Sequence, residues 1–126
     1  MDSLVVSKDI NAESGLISLP IKEVAFMEFE RRIDRVIVHT VDSSFFLTGT
    51  LKYWQNGLDS NGYNFVAVDR TNVVNLDRIV VLDEMYHIAY FEENITHTSK
   101  RCTFTNINFE KAKEKYSVIQ KKTSLA

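Results

Sequence analysis

From Val24 to Phe104 the chain breaks its apolar residues into short packets, each closed by polar or charged residues, and this punctuation restricts the fold more than any other feature. Packets this short, rich in β-branched and aromatic residues, suit strands of ordinary length and are too brief for long amphipathic helices. Leu16–Leu19 runs into Pro20, and Val24–Phe29, Val36–Val41 and Ser44–Thr48 follow as strand-length packets with polar breaks between them. Further strands are predicted at Phe65–Val68, Val73–Leu76, Ile79–Asp83, Met85–Phe91 and around His97–Phe104. The expected fold is mainly β, a meander of short antiparallel strands.

Two segments change period. Leu51, Trp54 and Leu58 recur at helical spacing behind Thr50, a suitable N-cap, which predicts one short internal helix or a pair of turns. From Asn108, read as an N-cap, Phe109, Ala112, Tyr116 and Ile119 form one stripe. That predicts a C-terminal amphipathic helix, fraying beyond Lys121.

At 126 residues and 44% hydrophobic, the chain supports one domain with an ordinary core. Its one cysteine, Cys102, excludes an intrachain disulfide, and a reducing, cytoplasmic setting is expected. No basic segment followed by an apolar one opens the sequence, and no apolar run reaches the roughly 20 residues a membrane span requires. Net charge is −2 but unevenly spread: residues 1–99 carry 8 Lys and Arg against 15 Asp and Glu, residues 100–126 carry 7 against 2. An acidic body thus ends in a basic tail, which would either attract phosphate or form a solvated helix face.

Catalytic groupings are scarce. His39, His87 and His97 stand apart from one another with no metal-ligand spacing, and the four glycines form no phosphate-binding loop. Asp83/Glu84 and Glu92/Glu93 are adjacent pairs whose side chains point to opposite faces of a strand, unlike a converging acid and base. Cys102 follows Lys100 and Arg101, so it is either a thiol made acidic by cations or a half-buried strand residue. No enzyme, metal or cofactor is expected.

What remains are cations in connections: Arg31, Arg32 and Arg35, with Asp34 among them; Arg70, Thr71 and Asn72; and Ser99, Lys100 and Arg101. Arginine can bond guanine bidentately, asparagine adenine, and hydroxyls phosphates or base edges, so three such clusters on a β scaffold suit reading DNA from loops.

The order "ISLPIKEVAFMEFERRIDRVIVHT", "FFLTGTLKYWQNGL", "NFVAVDRTNVVNLDRIVVL" resembles the LytTR DNA-binding domain, an output module of bacterial response regulators, over about Leu16 to Glu114. Phe65, Val68, Arg70, Thr71, Val73, Val74, Asn75, Asp77 and Ile79 carry its most specific part. The resemblance implies residues 16–108 as the LytTR-like domain, 1–15 as an N-terminal extension and 109–126 as a C-terminal helix and tail. It implies short antiparallel strands in small stacked sheets, a cytoplasmic transcriptional regulator whose usual receiver domain is missing here, as an excised fragment or a stand-alone regulator, loops entering successive grooves of duplex DNA at promoter direct repeats, and a second copy or another regulator as protein partner. Carried over, the contacts are Arg31 to Arg35, Arg70 with Thr71, and Ser99 to Arg101, while Asn75 holds backbone. Asp34 and Asp69 stand where the family often has histidine, and Ala67 where it has arginine. The two carboxylates either redirect specificity, pair with Arg35 or Arg70, or leave a module that binds another protein instead of DNA.

Overall fold

A computed structural model describes the backbone of residues 1–125 and the side chains of residues 1–120. The centre is a five-stranded antiparallel sheet of β3 (Phe26–Glu30), β4 (Arg35–His39), β5 (Ser44–Leu47), β6 (Phe65–Ala67) and β7 (Asn72–Asn75), in the order β5-β4-β3-β7-β6. Because side chains alternate along a strand, β3 sends Met27 and Phe29 to one face and Phe26 to the other, and β7 divides Val73 from Val74 in the same way. Both faces of the sheet are therefore covered.

On the Met27 face lie a two-stranded sheet, β1 (Ser3–Val6) with β2 (Ile17–Pro20), and the helix α1 (Leu51–Ser60). Leu4, Val6, Ile21, Met27, Val36, Val38, Leu58 and Phe65 form this core. On the Phe26 face a three-stranded sheet, β8 (Val81–Asp83), β9 (Ile88–Tyr90) and β10 (Arg101–Thr103), and the helix α2 (Asn106–Leu125) enclose a second core around Val68, Val74, Phe91, Phe104, Phe109 and Ala112. Among the described residues, no helix is long and apolar enough to cross a membrane.

The short elements have local causes. Thr50 caps α1, its Oγ1 accepting from Tyr53 N at 3.1 Å. Trp54 Nε1 donates to Thr48 O at 2.7 Å across Gly49, whose φ of 101° and close approach to the indole leave no place for a Cβ. The expected short helix at Thr50 is thus a full α-helix of 10 residues.

Several predicted boundaries move. Residues 1–15 supply β1, with Leu4 and Val6 buried, so part of the segment read as an extension packs inside the first core. The strand predicted from Met85 starts at Ile88 because Asp83 accepts from Met85 N (2.9 Å) and Tyr86 N (3.0 Å), closing a hairpin turn. Likewise His97–Phe104 shrinks to β10, since Thr96 and Ser99 knit residues 96–99 into a turn, with Thr96 N donating to Ser99 Oγ at 2.8 Å. The start of α2 is capped by Thr105, not Asn108: Thr105 Oγ1 accepts from Asn108 N at 3.3 Å. The helix continues to Leu125, past Lys121, where the periodicity predicts fraying.

Candidate nucleic-acid interface

Strand direction decides which connections share an end of the central sheet. β3 is antiparallel to both β4 and β7, so the β3–β4 turn (Arg31–Asp34) and the β6–β7 turn (Val68–Thr71) emerge at the same end. Phe29 N donates to Thr71 O at 2.8 Å and lashes the two turns together.

In the first turn, Arg31 and Arg32 are exposed. Arg32 Nε reaches Glu30 Oε1 at 3.3 Å, an ion pair whose arginine side chain is 91% exposed. Such a pair holds little energy and gives way to a stronger anion. Bonding from Arg32, first through its backbone N–H, holds the Glu30 carboxyl below its ordinary range. Asp34 is exposed with a left-handed backbone, φ 52°. Arg35 is half-buried and already engaged: Nε donates to Ile10 O (3.0 Å), Nη1 to Asp34 O (2.9 Å) and Nη2 to Asn11 Oδ1 (3.4 Å).

The second turn is tied from within. Asp69 Oδ1 accepts from Thr71 N at 2.9 Å and Asn72 Nδ2 at 3.1 Å. The Asp69 carboxylate therefore organises the turn and does not pair with Arg70, and Asp34 meets Arg35 only through its carbonyl. Arg70 and Thr71 are exposed at the tip, and among the described residues the Arg70 guanidinium has no hydrogen-bond or ion-pair partner. Asn72 is half-buried, its amide spent on Asp69. Asn75, 1% exposed, donates to Val24 O at 2.9 Å and accepts from Asp77 N at 3.1 Å, holding backbone as expected.

Ser99, Lys100 and Arg101 do not join this group. Lys100 Nζ donates to Ser43 O and, at 3.0 Å, to Ser44 Oγ, in the β4–β5 connection at the opposite end of the sheet. Burial there pulls its amine below the usual lysine range, against the opposing pull of Asp42 and Glu28. Ser99 is buried and accepts from Thr96 N, while Arg101 stacks over Tyr90 at 5.1 Å and donates to Thr96 O at 2.7 Å.

The element that does reach the β6–β7 turn is the start of α2. Thr105 N (3.2 Å) and Asn108 Nδ2 (3.1 Å) both donate to Val68 O, placing exposed Thr105, Asn106 and Ile107 beside the β6–β7 turn. The signal for it was Thr105 as a cap residue; assigning the cap to Asn108 hid it.

Other chemistry is accounted for structurally. His39 is stacked on Phe26 at 4.3 Å, donates from Nε2 to Glu28 Oε1 at 2.7 Å and accepts at Nδ1 from Ser44 Oγ at 3.0 Å, linking neighbouring strands. Cys102 is buried, and burial pushes its thiol up, which removes the reading of a cysteine made acidic by its basic neighbours. Among the described residues no three His, Cys, Asp or Glu side chains gather as metal ligands.

The comparisons agree with this architecture. A solved LytTr DNA-binding domain from Bacillus cereus superposes with a TM-score of 0.67 at 13% identity, covering 90% of this chain and 95% of that one. No curated protein matches the chain significantly. The family model of the LytTr DNA-binding domain matches residues 14–103, most of the molecule. The chain belongs to the LytTR family of DNA-binding domains.

Proposed function

We propose that this chain is a sequence-specific transcriptional regulator that reads a repeated duplex site, with the β3–β4 turn, the β6–β7 turn and the start of α2 as its DNA-facing elements. The observation that carries the reading is the pairing of the first two: Arg31 and Arg70 stand exposed on adjacent turns joined by the 2.8 Å bond from Phe29 N to Thr71 O. Unspent guanidinium donors suit guanine edges and phosphates, and Thr71, Thr105 and Asn106 add short hydrogen-bonding groups. Asp34, exposed beside Arg31, can accept from cytosine N4. Lys100 and Arg101 support the scaffold in this reading, and pairs of domains occupy the two halves of a direct repeat. No catalytic step is involved.

The test is selection from randomised duplex DNA with the purified chain at about 50 and 200 mM salt. A short repeated motif, recovered with affinity that falls steeply as salt rises, is the expected result. Failure to enrich any motif at the lower salt would sink the reading and turn attention to a protein partner.

A further inference from the structure

Residues 7–15 lie mostly outside the family match and carry none of the expected DNA contacts, yet they are built with care. Asp9 gathers the loop: its carboxylate accepts from Glu13 N (2.7 Å), Ser14 N (3.0 Å) and the Ser14 hydroxyl, and its carbonyl accepts from Ala12 N (3.2 Å). The ladder bonds between Ser7 and Phe46, 3.1 Å and 2.8 Å, fix the loop to β5. From there Ile10 O and Asn11 Oδ1 take two of the guanidinium nitrogens of Arg35, whose third nitrogen holds the carbonyl of Asp34. Behind Arg35 lies an open cavity of about 220 Å³ lined by Val5, Ile10, Leu16 and Phe46. The guanidinium is thus kept in place by directed hydrogen bonds more than by packing, and removing their acceptors frees it to move.

We infer that the loop of residues 7–15 is a positioning element for DNA reading: it clamps Arg35, and through Arg35 fixes the left-handed Asp34 and the adjoining Arg31. Arg35 is on this account a positioning residue and no phosphate contact, and Asp9, whose side chain bonds, among the described residues, only within its own loop, governs the presentation of Asp34. The inference rests on the proposal that the β3–β4 turn faces DNA. The coupling itself does not, which lets the two be tested apart.

The first measurement needs no DNA. In the full chain, Asp9→Ala should speed amide hydrogen exchange at Arg31–Arg35 while leaving the β8–β10 amides as they were; unchanged exchange at Arg31–Arg35 would overturn the inference whatever the protein binds. Asp9 is near the surface, so the variant should fold, and unchanged core protection verifies it. The second uses the selected site. Arg35→Ala should weaken binding about tenfold, a change of about 1.4 kcal/mol, with the slope of log K against log salt unaltered. Its base preference should relax at the same position that Asp34→Ala relaxes. Asp9→Ala should share part of that loss, and the double variant should bind no worse than Arg35→Ala alone, because one route carries both effects. A slope shallower by about one would make Arg35 a direct phosphate contact, and additive losses would make the loop and Arg35 independent; either overturns the inference. A wild-type chain that selects no motif would fail the DNA reading, leaving the exchange result to decide the coupling.

Discussion

The two ends of the central sheet use the same kinds of residue to opposite effect. At the β4–β5 end, Lys100 spends its ammonium on Ser43 and Ser44, and His39 bridges Ser44 to Glu28. At the β3–β4 end, Arg31 and Arg70 project with no partner for their side chains among the described residues. The difference teaches that a cation offers donors to an outside anion only where the fold leaves them unspent, which is why the proposed interface lies at the β3–β4 end. The sequence shows equal cations in both places, and only the fold shows which have been used.

The comparison can be attacked most forcefully through the frame that both ends share. Phe109 is buried in the second core, stacks on His87 at 4.1 Å and seats the first turns of α2 against the β6–β7 turn. Phe109→Ala should lower the free energy of unfolding by about 3–5 kcal/mol in a denaturant titration, and protection should fall at both ends together. Survival of one end alone would show that they are separable units.

Next in size, Arg70→Ala should cost about 1–3 kcal/mol of specific binding in a gel-shift or anisotropy titration and relax one base position, with the melting temperature unmoved. Lys100→Ala should behave in the reverse way: about 1 kcal/mol of stability lost with its hydrogen bonds, and a salt slope equal to wild type. Arg31→Ala, in contrast, should flatten that slope by about one. If Lys100→Ala flattens the slope and Arg31→Ala does not, the assignment of the two ends is inverted.

The smallest expected effect separates the ends by pH. Burial lowers the proton affinity of His39, aided by the Lys100 charge and opposed by Glu28. With the folded pKa below the ordinary 6.5, the unfolded chain binds more protons between the two values, so stability is full above about pH 6.5 and falls as pH drops through that window. His39→Gln should remove this part of the pH dependence in thermal melts. Stability that rises on acidification from pH 7 to 5 would contradict the sign.

Much of the scaffold was legible because alternation is a local signal. The packets at Val24–Phe29, Val36–Val41 and Ser44–Thr48 became β3, β4 and β5, and the stripe of Leu51, Trp54 and Leu58 became α1. Asn75, read as a backbone holder, is one. The candidate site was legible only in part, because which turns share an end depends on pairings between distant strands. The turns carrying Arg31 and Arg70 reach one end of the sheet through the β3–β7 pairing, which no window of sequence displays. Ser99–Arg101 looked equivalent to them as a cluster, but Ser99 lies inside the turn it helps to form. The acceptors of Arg35, Ile10 and Asn11, lie more than 20 residues away in sequence, so no local pattern shows that its guanidinium is engaged.

The order β4-β3-β7-β6 has one more consequence. Hairpins centred on β3–β4 and on β6–β7 are separated by two interstrand spacings, about 9–10 Å, close to three base-pair steps of about 3.4 Å each. If the two turns read DNA as proposed, the protein's stride along a duplex is set by the metre of its sheet. Exchanging side chains on the turns would then change which letters are read, while the interval between them stays written in backbone.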